Sequence, residues 1–343
     1  MARAKSADKE TMTLSFSDKV KELEKKYSKP QHDRMFIPTG SVGYDWALGG
    51  GYQTGRIYEK IAWEGAGKTT LSLHAVAECQ KMGENALYID AEHALDRKYA
   101  EAIGVDWNAL AKFQPSFGEE GFEYTKDLIA TGDVRLVIID STSGMLPKKQ
   151  MLDPAGASNL GLHAKLLGTE IPKVVNLADI YNCVVIFISQ FREKIGVMFG
   201  SPETTQGGNA LKFWASVRTE FRRGLSKEGD EVVGIDSKFK VIKNKVVSPY
   251  RTGVIPIRFG EGINKVDEMI DLGGEYDVIR KFGKNITLLD NGASGETKYL
   301  VEEFISLWKT DDDFRYSINS AIKQRMDNDS SRIELDKTEA EGV

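Results

Sequence analysis

Gly65, Gly67, Lys68 and Thr69 stand in the run Ala62-Trp-Glu-Gly-Ala-Gly-Lys-Thr69, which has the spacing of a phosphate-binding loop except that Ala62 replaces the first glycine. Such a loop holds the β and γ phosphates of a nucleotide. Backbone N–H groups, a helix N-terminus and a cation are needed together to neutralise that much negative charge. Gly65 and Gly67, with Glu64 and Ala66 beside them, let the backbone come close; Lys68 supplies a point charge and the Thr69 hydroxyl can reach Mg2+. The alanine fits if the backbone at 62 needs no positive φ. A glycine-rich turn that merely precedes Lys-Thr would look the same in isolation.

Carboxylates form the second group. Asp140 ends the apolar run Leu136-Val-Ile-Ile-Asp140, the placement of an acid that orients a Mg2+ shell in phosphate-loop ATPases. Glu92 follows Asp90-Ala91 and is a candidate general base for the attacking water, with helix capping as the alternative. Two irregular stretches, Gln150–Gly161 and Phe191–Asn209, lack periodicity, and long irregular segments inside a compact domain usually carry function. The second mixes Arg192 and Lys194 with Ile195, Met198 and Phe199, a composition suited to holding phosphates while apolar side chains wedge between bases. An active-site lid would have a similar composition.

These groups need a scaffold. Strands are expected at Arg56–Ile61, Ala86–Asp90, Arg135–Asp140 and Cys183–Ser189, alternating with helices, which predicts a mostly parallel sheet covered on both faces. Ligands of such sheets sit beyond the C-terminal strand ends, where Asp90, Glu92, Asp140, Ser141, Ser189 and Gln190 would converge. After the loop, Leu71, Ala75, Val76 and Cys79 recur at helical spacing until Gly83. Glu231–Lys245 reads as a β segment with Lys243 and Lys245 on one face, most simply a solvated strand edge. From about Glu268 a compact α/β pattern follows, with helices near Tyr299–Trp308 and Phe314–Met326.

The 343 residues, 41% of them hydrophobic, suffice for one large core with smaller additions at the ends. No apolar run is long enough to span a bilayer and the N-terminal residues lack a secretion signal, so a soluble cytoplasmic protein without a membrane partner is expected. Cys79 and Cys183 have no metal-ligand neighbours and read as small buried residues, which argues against a zinc site. The net charge of −5 (46 − 51) is concentrated near the end: Asp327–Val343 carries six acids and two bases, hence −4, and is too polar to fold. Near the start, Phe16, Val20, Leu23 and Tyr27 share one face of a helix from about Ser17 to Tyr27. That helix is too short to stand alone and must dock on its own domain or on a neighbouring subunit.

The phosphate loop, Ile89-Asp-Ala-Glu-His-Ala-Leu-Asp96, Val137–Ser141, Lys194-Ile-Gly-Val-Met-Phe-Gly200, Pro202–Thr205, Gly207–Phe213 and Val241-Ile-Lys-Asn-Lys245 together resemble the bacterial RecA recombinases. The resemblance runs from about Thr39 to Phe282 and, more loosely, to Met326. It implies an α/β RecA-type ATPase core at 35–266, an N-terminal arm with an oligomerisation helix at 1–34, a small α/β C-terminal domain at 267–326 and an acidic tail at 327–343. The implied activity is DNA-dependent ATP hydrolysis by a filament that forms on single-stranded DNA and exchanges strands with a homologous duplex. Cofactors would be ATP and Mg2+; partners would be both DNA forms and further copies of the chain, with room for single-strand-binding and loader proteins.

By motif match, Lys68, Thr69 and Thr70 would hold phosphate and Mg2+, Glu92 would activate water and Asp140 would support the metal. Asp96 and Tyr99 would contact adenine, and Gln190 would sense the γ phosphate. The irregular segments match the two DNA-binding loops: Leu160 and Ile195 resemble apolar wedges, and Gly161, Lys165, Arg192, Gly207, Gly208 and Asn209 complete the DNA-binding set. Phe213 resembles the aromatic that links nucleotide state to the neighbouring subunit. Lys243 and Lys245 resemble a catalytic pair that reaches the neighbour's ATP.

Pro172 stands where the family has a basic DNA contact, which Lys173 could replace. Asp153-Pro154-Ala155, Gln206, Ala62 and Trp63 are further departures, of a kind that suits a diverged member such as one encoded by a bacteriophage. A RecA-fold ring helicase moving along single-stranded DNA is the alternative reading of the same core, and a binding module without strand exchange is a third.

Overall fold

The computed structural model describes residues 15–28, 30, 32–154, 159, 161–193, 203–205, 208–289 and 297–329. Lys194, Ile195, Leu160, Gln206, Gly207 and the acidic tail from 330 onward lie outside them. The chain forms two compact units, Met1–Asp33 and Arg34–Val343. In the first, α1 (Phe16–Tyr27) is capped by Ser15, whose hydroxyl accepts the Asp18 N–H, and none of its residues is buried.

The second unit opens with β1 (Phe36–Ile37), α2 (Val42–Leu48) and β2 (Tyr52–Gln53), β1 and β2 pairing antiparallel. Then come β3 (Ile57–Ala62), α3 (Lys68–Lys81), β4 (Asn85–Asp90), α4 (Arg97–Ile103), β5 (Ala111–Phe113), α5 (Gly118–Ala130), β6 (Val134–Asp140), α6 (Lys148–Leu152), α7 (Leu162–Ile180) and β7 (Val184–Glu193). β8 (Glu203–Thr205) pairs with the end of β7, and α8 (Ala210–Trp214) leads into β9 (Val217–Glu228), β10 (Glu231–Asn244), β11 (Thr252–Arg258) and β12 (Gly262–Ile263). α9 (Lys265–Glu275), the meander β13 (Ile279–Phe282), β14 (Asn285–Leu288) and β15 (Thr297–Leu300), and helices α10 (Val301–Thr310) and α11 (Asp312–Asn328) complete the described chain.

The main sheet runs β12-β11-β10-β9-β3-β7-β6-β4-β5. From β9 across β3, β7, β6 and β4 to β5 neighbours are parallel, while β9 to β12 are antiparallel. Helices cover the parallel part on both faces, so its strands bury side chains on both sides and read as unbroken apolar runs: every residue from Leu136 to Ile139 is fully buried. One face packs with α3 in a cluster that includes Leu71, Ala75, Ile138 and Ile186; the other packs α5 and α7 through Phe122, Leu167, Ile171 and Val174. Phe304, Ile318, Ile322 and Met326 of α10 and α11 belong to the α3-side cluster, so the C-terminal elements share that core.

A buried lysine sits on the α3 side of β3. Lys60, with no exposed surface, donates from Nζ to Ser72 Oγ at 3.0 Å and lies 5.3 Å from the centre of the Tyr52 ring. Burial pushes its pKa down to about 7.

Candidate functional site

The loop between β3 and α3 lies at the C-terminal end of the parallel strands. Ala62 is the last residue of β3, and it is absent from the non-glycine residues with positive φ, so the alanine is accommodated without strain. Gly65 and Gly67 do take left-handed conformations, with φ of 69° and 88°. Gly67 carries a second constraint, because a Cβ there would stand 2.6 Å from Ile257 Cδ1. Beside it Ser237 Oγ donates to the Ala66 carbonyl at 2.7 Å, so strands β10 and β11 brace the loop from outside. Lys68 Nζ arches back to the Ala62 and Trp63 carbonyls at 3.2 and 2.9 Å. Burial lowers its pKa, and Asp140, Glu92 and Glu64 oppose that shift.

The polar strand ends converge as expected. Thr69 Oγ1 donates to Asp140 Oδ2 at 2.8 Å, and Tyr88 OH donates to the same oxygen at 2.6 Å. Burial raises the Asp140 pKa, and the hydrogen bonds from Tyr88 and Thr69 and the nearby Lys68 charge oppose that shift. A hydroxyl and a buried carboxylate oxygen side by side are a hard-oxygen pair that fits Mg2+. Glu92 Oε1 accepts from Ser141 Oγ and, at 2.9 Å, from Gln190 Nε2. Thr70 and Tyr99 join through their hydroxyls at 2.8 Å.

These groups enclose a cavity of about 280 Å³. Glu64, Gly65, Ala66, Gly67, Lys68, Thr69, Thr70, Glu92, Tyr99, Asp140 and Gln190 all line it. Asp96 does not: its carboxylate caps α4 by accepting the Tyr99 N–H at 2.7 Å. The remaining wall is Ile235, Ile257 and Phe259, none of which stood out in the sequence; nor did Arg223, which does not line the cavity but stands beside the loop, where a Cβ on Gly65 would meet its Nη1 at 3.0 Å. All four lie on or just beyond β9–β11, and only their long-range pairing brings them here.

Other expected residues lie apart from the cavity. Lys243 lies in β10 and Lys245 just beyond its end at Asn244; the Lys243 Nζ donates to the Lys212 and Phe213 carbonyls at 2.9 and 3.0 Å, closing the end of α8. Phe213 is 69% exposed and Lys245 is exposed. Lys165, Gly161, Arg192, Gly208 and Asn209 are exposed as well. Lys173 pairs with Glu170 at 2.7 Å, beside Pro172 within α7. Trp63 packs against Phe191 with the rings tilted by 37° and their centres 5.9 Å apart, and the Arg222 guanidinium lies 4.8 Å from the Phe191 ring centre.

A glycine-bent loop between a parallel strand and a helix, with a lysine and a threonine facing a buried aspartate, defines a phosphate-loop nucleotide-binding ATPase. The RecA N-terminal domain family matches residues 16–264. The RecA protein of Acinetobacter baylyi is 44% identical over 78% of this chain and 78% of its own. That of Staphylococcus carnosus is 42% identical over 89% and 86%, and that of Porphyromonas gingivalis 48% over 73% and 74%. The chain belongs to the RecA family. It is a DNA-dependent ATPase of recombination and repair, with DNA and further copies of itself as partners, and the ring-helicase alternative is not favoured. Among the described residues no helix is long and apolar enough to cross a membrane.

Proposed function

We propose that the cavity binds ATP with Mg2+, that the residues around Gly161 and Gly208 hold single-stranded DNA, and that hydrolysis takes place between successive subunits of a filament. The observation that carries this reading is the double convergence of Thr69 on Asp140 at 2.8 Å and of Gln190 on Glu92 at 2.9 Å. Lys68 and the loop N–H groups take the β and γ phosphates. Mg2+, when bound, neutralises phosphate charge beside Thr69 and Asp140. The base lies against Tyr99 and Phe259. Glu92 accepts the proton of the water that attacks the γ phosphorus, the bond to the β-bridging oxygen breaks, and ADP leaves. Gln190, bonded to Glu92, reports the γ phosphate to the segment that follows it.

Arg192, Lys165 and the glycines around Asn209 hold the DNA backbone, with Leu160 and Ile195 between bases. α1, whose Phe16, Leu23 and Tyr27 are exposed, docks on a neighbouring copy as part of an arm spanning 1–34. The 35–266 segment is the ATPase core, 267–326 a C-terminal domain, and 327–343 a tail that competes with DNA phosphates for basic sites. Lys243 and Lys245 do not line their own chain's cavity, and they supply cations to the neighbour's.

Mixing two inactive variants tests the shared site. Glu92→Gln and Lys243→Ala in equal amounts with DNA should recover activity at about a quarter of interfaces, one half times one half, while neither alone does so. Mixed filaments as inactive as their parents would return Lys243 to its bond with α8 within one chain.

A further inference from the structure

α7 begins behind Gly161, whose φ is 77°, and its first turn presents Ala164 and Lys165 to solvent. His163 points the other way. It is only 9% exposed, and its Nε2 lies 2.8 Å from the Thr142 carbonyl oxygen. A carbonyl oxygen only accepts, so Nε2 carries the proton here. Burial lowers the pKa of the ring, which favours this neutral donor form.

Thr142 is itself held. Its N–H donates to the Ile188 carbonyl at 2.9 Å, and its Oγ1 lies 3.3 Å from Ser189 Oγ. The preceding residue, Ser141, donates to Glu92. Gly208, near the start of α8, meets the same turn of α7: a Cβ there would stand 3.1 Å from Ala164 Cβ. The ends of both irregular segments therefore rest on a helical turn whose inward bond leads, through Thr142 and Ser141, to Glu92.

We infer that His163 is a positioning residue, a latch that ties the DNA-facing turn of α7 to the Thr142 carbonyl and so makes the placement of Ser141 and Glu92 depend on bound DNA. The inference rests on the proposed roles of Lys165 and Glu92. A bond of this length transmits displacement of α7; without it, the turn moves and the Thr142 peptide stays. The Met145 N–H also donates to the Thr142 carbonyl, at 3.3 Å, so the carbonyl keeps a partner when the ring is removed and the fold survives.

The test compares His163→Ala with His163→Gln, whose amide nitrogen can donate where Nε2 does. With saturating single-stranded DNA, His163→Ala should turn over ATP about tenfold more slowly, with melting temperature and affinities for DNA and a non-hydrolysable ATP analogue close to wild type. His163→Gln should recover most of the rate. Undiminished turnover by His163→Ala overturns the latch. So does His163→Gln as slow as the alanine variant, or loss of rate only in step with loss of folding or affinity. Lys165→Ala and Glu92→Gln run in parallel keep the two layers apart. If the first binds DNA normally or the second hydrolyses normally, the underlying assignment fails; if both behave as proposed and His163→Ala does not, the latch fails alone.

Discussion

The parallel and antiparallel parts of the main sheet meet at β9, which pairs parallel with β3 and antiparallel with β10, and they ask different things of their residues. Parallel strands are buried on both faces and present polar groups to the site at their C-terminal ends, where Asp140 and Gln190 gather around the phosphate loop. The antiparallel strands are half exposed and contribute along their length: Ser237 braces the loop, and Ile235, Ile257 and Phe259 close the cavity. Polar chemistry comes from one part, and apolar enclosure comes from the other. The site therefore has two owners, separable by mutation.

The largest effect should come from the parallel side. Lys68→Ala removes the loop's side-chain cation, and nucleotide binding and turnover should both fall to the limit of detection in calorimetry and phosphate-release assays. Normal turnover would defeat the phosphate-loop assignment. Glu92→Gln keeps the shape and loses the base, so ATP and DNA should still bind while hydrolysis slows about 10²–10⁴-fold. If this variant binds no ATP, Glu92 is structural.

Crossing to the antiparallel side, Phe259→Ala should weaken nucleotide affinity about tenfold with little change in the rate at saturation, as expected of an aromatic contact that serves ground and transition states alike. A reduced saturated rate with unchanged affinity would erase the division between polar and apolar owners.

The smallest effect concerns stability and pH. Lys60 has a folded pKa of about 7 against an ordinary 10.5, so the unfolded chain binds its proton more readily. Its contribution is therefore undiminished above about pH 10.5 and is lost as pH falls toward 7. Lys60→Met should raise the melting temperature by about 2–6 °C near pH 7 and progressively less toward pH 10. A gain independent of pH would mean that the buried ammonium is not its source.

Legibility followed the same division. Leu136–Asp140 was readable because double-sided burial writes an uninterrupted apolar run, and the acid that breaks it marks the strand end. The helix after the loop was readable through Leu71, Ala75 and Cys79, which α3 buries. Phe259 was not: it follows β11 in a turn, and nothing within a few residues says that it will border the cavity beside the phosphate loop. Asp96 shows a local rule at work, since an aspartate three residues before Tyr99 also fits a helix cap, and its carboxylate makes that bond. The four-residue strands β13–β15 are too short to print a period, so within the α/β pattern expected there only the helices could be placed.

The contact between Gly67 and Ile257 has a consequence for heredity. Two independent barriers guard position 67, its left-handed backbone and the 2.6 Å approach of Ile257 Cδ1, whereas position 257 faces only the second. A lineage can trade Ile257 for a smaller side chain and keep a working loop, but that trade never frees Gly67, because the backbone barrier remains. The dependence between these distant positions runs one way: drift at 257 is reversible, and a change at 67 has no partner mutation that repairs it.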